Sequence, residues 1–397
     1  MNNSEIKVTV VIPIYNAQDF LRDTLEDAIG QTLREIEIIC VDDGSTDCSA
    51  EIVREYMRKD SRIQLICQEN QHAGVARNNG IENAKGEYLA FWDADDRFER
   101  NLLEKLYEKI TSSNADICVC NANRLDVPTG DLIRAEMYLL EKFLQGADEY
   151  SKESHPAYLF NIATNVPWNK LYRSSFIKEN NLRFEDRVRA NDVYFGMMGF
   201  YLATKIAVVR ERLVTYRVNN KDSLTGTQVE TPFCAMDAFM AVHESLERAG
   251  GLDNLQIRQS FENRALQSLL YALHQNTDGN AFIKMYEYLR NEGFEKLGII
   301  DREDYYYSED AQLSYRRMMT MAPLDYVLMH GADEKKKKQE HIRDLKIKNR
   351  ELRDSVNALK KENRRLNNKI NNIKNPLGWI ARKLYVIKDV KSKEMGK

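Results

Sequence analysis

The 397-residue chain has six cysteines, Cys40, Cys48, Cys67, Cys118, Cys120 and Cys234, and no Cys-x-x-Cys pair among them. That spacing excludes a disulfide scaffold and a zinc ribbon, and it fits a reducing, cytoplasmic setting. No HExxH and no histidine–carboxylate triad is present, so zinc hydrolysis has no support, and His72 reads as a surface or capping residue. The opening MNNSEIKVTVV lacks a basic segment, an apolar stretch and a small-residue cleavage site, which argues against secretion. No run approaches the roughly 18 apolar residues of a spanning helix, so any membrane contact is expected to be peripheral, on the inner face of the cell membrane.

Charge is abundant but unevenly placed. Residues 335–397 carry 21 Lys and Arg against 7 Asp and Glu, which leaves 37 against 54 for residues 1–334. An acidic body therefore bears a basic tail, and such a tail is expected to seek an anionic surface or an acidic partner. At 43% hydrophobic residues the whole chain can bury a sizeable core.

From residue 7 onward, β-branched runs alternate with helical periodicity. KVTVVIPIYN (7–16), EIEIICVDD (35–43), IQLICQE (63–69) and EYLAFWDAD (87–95) read as strands, with helices between them at 47–59 and 73–84. This predicts an α/β, doubly wound sheet, in which ligands bind beyond the carboxyl ends of the strands. Asp42 and Asp43 end one strand and Asp93, Asp95 and Asp96 end another, so the acidic groups are expected to converge at an exposed edge. After about residue 230, helical patterns take over at 233–249, 255–276 and 280–291.

The order VVIPIYN (10–16), VDDGSTD (41–47) and ARNNGIENAKGEYLAFWDADD (76–96) resembles glycosyltransferase family 2, inverting enzymes of the GT-A fold. The resemblance implies a nucleotide-sugar-binding domain over residues 1–230. It further implies transfer of a sugar from a nucleotide diphosphate sugar, most commonly a UDP-sugar, to a hydroxyl of a bacterial surface glycan or lipid-linked acceptor. By the same resemblance Pro13, Tyr15 and Asp43 border the base, Arg77 lies near the nucleotide, Asp93 meets the ribose or sugar, and Asp95 ligates Mn2+ or Mg2+. A diphosphate leaving group needs a cationic counterpart, and a hard divalent ion on carboxylate oxygens suits that need.

An inverting transfer also needs a base for the acceptor hydroxyl. The family's E-D-x-x-F segment corresponds to NDVYF (191–195), with Asn191 replacing the usual acid, so Asp192 is the candidate base and Glu185–Asp186 the competing pair. In PWNKLYR (167–173), Trp168 reads equally as a sugar-stacking residue on the acceptor side and as a core aromatic. TYRVNNKDSLT (215–225) resembles a further family stretch but lacks its histidine, and its role stays open. The turn DGSTD has capping and turn chemistry of its own, which can coexist with ligand binding.

Beyond a helical accessory region at 231–330, HGADEKKKK supplies a linker at 331–338. A heptad register then holds through Ile342, Leu345, Asn349, Leu352, Val356, Leu359, Asn363, Leu366, Ile370 and Ile373. This predicts a coiled coil over 339–374, expected to form a homodimer, with a basic amphipathic tail at 375–397. Nucleic acid is not among the expected partners. The rival readings are a nucleotidyltransferase, for which PIYNAQDF lacks a glycine- and lysine-bearing loop, and an inactive coiled-coil scaffold.

Overall fold

A computed structural model describes residues 6–219 and 231–374. Two compact units divide the chain, Met1–Pro323 and Leu324–Lys397. The first half of the larger unit runs β1 (Val8–Ile14), α1 (Leu21–Ile29), β2 (Ile36–Asp42), α2 (Ser49–Met57), β3 (Ile63–Cys67), α3 (His72–Asn83), β4 (Tyr88–Phe91), β5 (Arg97–Phe98) and α4 (Leu102–Ser113). There follow β6 (Ile117–Asp126), β7 (Asp131–Arg134), β8 (Glu149–Tyr150), β9 (Lys170–Arg173), α5 (Ser174–Glu179), α6 (Val193–Leu202) and β10 (Ile206–Val218). The helical remainder is α7 (Cys234–Arg248), α8 (Leu255–His274), α9 (Gly279–Tyr288), α10 (Phe294–Lys296), α11 (Glu309–Thr320) and α12 (Pro323–Lys374).

The strands lie in the order β3-β2-β1-β4-β9-β6-β10-β5, with β7 on β6 and β8 on β10. Pairing is parallel from β3 through β4, as the βα alternation predicts. It then departs from a purely parallel sheet, because β9 enters antiparallel between β4 and β6. Between β7 and β9 the chain has only short 3-10 turns and β8, with no crossover helix, and that connection permits the antiparallel entry. The sheet is therefore mixed.

Every residue of β1 and β2 is buried, as strands covered on both faces require. Val8, Val10, Ile12 and Ile14 share one core with Leu21, Leu25 and Ala28 of α1 and Ile52 and Val53 of α2. The alternate residues Ile39 and Val41 pack on the other face, against Ala76 of α3. Strand order turns back at β1, with β2 on one side and β4 on the other, so the loops after β1, β2 and β4 open at one end of the sheet.

The helices α7–α11 belong to the same compact unit as the sheet. Residues 331–338, expected as a linker, are instead helical within the 52-residue α12. Lys, Glu and Ala favour helix strongly, Glu334 pairs with Lys337 at 3.9 Å, and the one glycine costs only about 1 kcal/mol. Farther along α12, Ile342, Leu352, Val356, Leu359 and Leu366 are exposed. The expected tail at 375–397 lies outside the described residues, as does 220–225 of the TYRVNNKDSLT stretch. Among the described residues no helix is long and apolar enough to cross a membrane.

Gly80 brings α3 close to the sheet: a Cβ added there would lie 2.2 Å from Val11 Cγ1. Gly80→Ala, which in an exposed helix would stabilise, is expected to cost about 1–3 kcal/mol here. Urea unfolding checks this, and an unchanged or raised midpoint would show that α3 has room to move.

Candidate active site

The DDGS turn is built by its own side chains. Gly44 adopts φ +76°, and a Cβ on it would lie 3.0 Å from Asn70 N, so glycine is required there twice over. Asn16 Oδ1 accepts from Thr46 N at 2.8 Å, and Ser45 Oγ accepts from Asn16 N at 3.0 Å, which ties the turn to the end of β1. Asp43 is buried, and its Oδ1 accepts from Gln68 Nε2 at 2.8 Å and Gln71 N at 2.9 Å. Pro13 is buried within β1, opposite Val41 of β2, and Tyr15, just past the strand, stands 53% exposed.

The ARNNG helix docks onto the segment before α6. Asn78 Nδ2 donates to Phe184 O at 2.8 Å, and Phe184 N donates to Asn78 Oδ1 at 2.9 Å. Gly74 passes so close to Glu185 O that an added Cβ would sit 2.2 Å away. These contacts aim the buried Arg77 between two distant parts of the chain. Its Nη2 donates to Asp93 Oδ1 at 2.6 Å and its Nη1 to Asn191 Oδ1 at 3.0 Å. The guanidinium also lies 5.3 Å from the Phe184 ring centroid.

A cavity of about 630 Å³ opens beside this fork, and Arg77, Asp93, Asn191, Asp192, Trp168 and Tyr216 are among its lining residues. Asp192 is the residue before α6, yet its side chain makes no capping bond. Burial raises the Asp192 pKa, and Asp93 adds to the rise, while Arg77 and Lys170 oppose it. Glu185 instead pairs with Arg187 at 3.0 Å, and Asp186 is exposed; neither lines the cavity. Trp168 is both a lining residue and a core aromatic. It is 3% exposed, stacked on Tyr216 at 5.5 Å, with the Tyr138 ring edge-on at 5.0 Å.

The acidic turn after β4 has its own clamp. Arg217 of β10 donates from Nη1 to Asp95 O at 2.8 Å, from Nη2 to Asp23 Oδ2 at 2.6 Å and from its main-chain N to Asp96 Oδ1 at 2.9 Å. Arg217 thus fixes the backbone of the turn without touching the Asp95 carboxylate. Asp95 is half-buried rather than at an exposed edge. Burial, reinforced by Asp93, pushes its carboxyl up to about 6. Burial and the same neighbouring acids raise Asp96 as well, and its Oδ2 has no hydrogen-bond partner.

Such an edge is short of positive charge and fits a hard cation. Among the described residues no three His, Cys, Asp or Glu side chains gather into a closed metal cage. A cation here would therefore take one or two carboxylates and complete its shell with ligand oxygens and water, the habit of Mg2+.

Lys170 is a residue that sequence reasoning passed over. Buried at the start of β9, it donates to Thr164 O at 2.7 Å, Val166 O at 2.6 Å and Asn169 Oδ1 at 2.8 Å, and so holds the 164–168 loop that lines the cavity. Arg217 was visible only as part of a stretch of open role. Nothing in sequence spacing signals either set of contacts.

The profile of Glycosyl transferase family 2 matches residues 9–180. Glycosyltransferase GlyG of Streptococcus pneumoniae is 31% identical over 285 residues, 68% of this chain and 91% of GlyG. Glycosyltransferase GlyA of the same organism is 34% identical over 227 residues, 56% of this chain but only 32% of GlyA's length. Among solved structures, S. aureus TarS 1-349 in complex with UDP-GlcNAc superposes with a TM-score of 0.61 at 19% identity, covering 81% of this chain and 89% of that one; this likeness speaks to the fold.

The Asp95 pKa has a consequence for stability. Raised from 3.8 to about 6, the folded carboxyl holds its proton where the unfolded one has lost it. Its contribution is complete below pH 4 and is lost as pH rises through 6. In EDTA, Asp95→Asn should therefore flatten the decline of stability between pH 4 and 7. At pH 7.5 it should exceed the parent by about 1–2 kcal/mol, allowing for partial exposure. Parallel stability curves for the two proteins in urea would contradict this account.

Proposed function

The chain belongs to glycosyl transferase family 2 and is a glycosyltransferase, and on that premise we propose that it inverts the anomeric centre of a nucleotide diphosphate sugar. The sugar passes to a hydroxyl of a growing bacterial surface glycan. The observation that carries this reading is the Arg77 fork, which sets Asp93 and Asn191, and with Asn191 the neighbouring Asp192, around one cavity.

In this reading the donor lies over the carboxyl ends of β1, β2 and β4, where Tyr15 and Asp43 meet the base and Asp93 the ribose or sugar. Asp192 takes the proton of the acceptor hydroxyl as that oxygen forms a bond to the anomeric carbon. The bond from that carbon to the diphosphate oxygen breaks, and the nucleoside diphosphate leaves with the electron pair. Burial raises the Asp192 pKa and so makes it a stronger base than a solvated aspartate, while the charge of Arg77 opposes that rise. Asp95, with Asp93 beside it, would hold Mg2+ or Mn2+, which supplies Lewis-acid neutralisation of the leaving diphosphate. The TarS fragment that shares this fold holds UDP-GlcNAc, which makes UDP-sugars the first donors to test.

Purified protein is expected to hydrolyse one member of a nucleotide-sugar panel slowly in Mn2+ and to stop in EDTA. Asp192→Asn should lower transfer by about 10²-fold or more while leaving UDP affinity within a factor of two. Full activity in Asp192→Asn, with loss in Glu185→Gln or Asp186→Asn, would move the base to the earlier acidic pair.

The α12 seam is part of the same proposal. Exposed Leu352, Val356, Leu359 and Leu366 recur at heptad spacing on a helix long enough for a coiled coil, and Asn363 at a core position favours a paired, in-register dimer. Lys346, Lys348, Arg353 and Lys360 put like charges along the flanks, so the rival partner is an acidic helix. Sedimentation should show a dimer for the full chain and a monomer for Leu352→Asp/Leu359→Asp. A monomeric parent protein would leave the heteromeric partner as the alternative.

A further inference from the structure

One wall of the cavity is not used by the chemistry above. Arg264, Gln267, Ser268 and Tyr271 line it from α8. Their spacing of three, four and seven residues places them on one helix face. The other faces carry buried Phe261, Ala265, Leu266, Leu269, Leu270 and Leu273. A polar stripe on a half-buried helix ordinarily meets bulk water. This one is turned into the cavity and bolted there.

The bolts are two turns of α8 bonded to the segment that precedes the 164–168 loop. Ser260 Oγ accepts from Phe160 N at 2.9 Å, and Asn161 Nδ2 donates to Ser260 O at 2.7 Å and Oγ at 3.0 Å. One turn on, Arg264 donates from Nε to Phe160 O at 2.6 Å and from Nη2 to Ala163 O at 3.1 Å. Both walls are thereby held at a fixed separation, the condition for a preorganised binding site. Arg264 is occupied in this bracing, which leaves Gln267, Ser268 and Tyr271 facing the cavity.

Tyr271 is 54% exposed, whereas Trp168 on the facing wall is 3% exposed with one face against Tyr216. Of these two lining aromatics, Tyr271 is the one with ring surface to offer. A pyranose presents an apolar C–H face and a rim of hydroxyls, which matches an open aromatic beside an amide and a hydroxyl; an extended lipid chain or a bare phosphate does not need that combination.

We propose that α8 is the acceptor-binding wall of this enzyme, with Tyr271 the platform for a pyranose ring of the acceptor and Gln267 and Ser268 the groups that bond its hydroxyls. This rests on the glycosyltransferase reading and adds the acceptor's chemical class. It also makes the helical region after residue 230 part of the active site, the place where acceptor choice is made.

The test uses the full chain saturated with UDP, with methyl glucopyranoside, methyl galactopyranoside, methyl mannopyranoside, methyl N-acetylglucosaminide and glycerol phosphate as probes. Saturation-transfer NMR is expected to show at least one pyranoside bound through its ring C–H protons. Tyr271→Ala should weaken that binding by about tenfold and Tyr271→Phe should retain it. UDP affinity by calorimetry and the melting temperature should not change in either variant. Absence of pyranoside binding, equal binding in Tyr271→Ala, or binding of glycerol phosphate alone overturns the proposal, and a matching loss of UDP affinity would move Tyr271 to the donor side. Donor hydrolysis by the parent protein is measured in parallel. If hydrolysis persists while the Tyr271 effect is missing, only the acceptor wall fails; if no donor is turned over, the catalytic reading itself is at fault.

Discussion

The site depends on one buried guanidinium. Arg77 costs desolvation wherever α3 carries it, and the molecule offsets that cost by delivering two acceptors from positions 16 and 114 residues away, Asp93 and Asn191. Delivering them imposes the local architecture. Gly80 lets α3 approach Val11 of β1, Gly74 lets the 185 backbone pass, and the reciprocal Asn78–Phe184 amide pair sets the separation. Asn191 is a neutral acceptor, and that neutrality has an electrostatic effect. Among the described residues Arg77 then has one carboxylate in direct contact, Asp93, and its charge also acts on Asp192, where it opposes the effect of burial.

The acidic turn after β4 is governed by the opposite principle. Arg217 engages the main chain of Asp95, one oxygen of Asp96 and the side chain of Asp23, so it fixes geometry without a direct bond to the Asp95 carboxylate, on which its charge acts only at a distance. Burial and the neighbouring acids raise the Asp95 and Asp96 pKa values against the opposing charge of Arg217. Stability is given up where like charges are gathered and half-buried, a familiar trade at functional sites.

The helical region has a role in the same geometry. Ser260 and Arg264 brace α8 against residues 160–163, and Lys170 gathers three oxygens of the 164–169 stretch. Two walls of one cavity are thus held by buried polar contacts, which resist displacement because each broken bond leaves an unsatisfied group behind.

The sequence by itself determined the parallel βα half of the sheet. Buried β-branched runs and helical periodicity are local signals, and they placed β1 to β4, α2, α3 and the helices after 230 close to where they lie. It also marked the turn at 42–47 and the DADD strand end, since glycine at a left-handed position and acids past a strand are legible one residue at a time. Only the tertiary structure decided the antiparallel entry of β9, the Arg77 bridge to Asn191, the Arg217 clamp and the orientation of α8. These are set by contacts between residues tens to more than a hundred positions apart. Spacing cannot express such contacts: Arg264, Gln267, Ser268 and Tyr271 have the period of any solvated helix face, and burial against a second wall is what turns that face into a cavity lining.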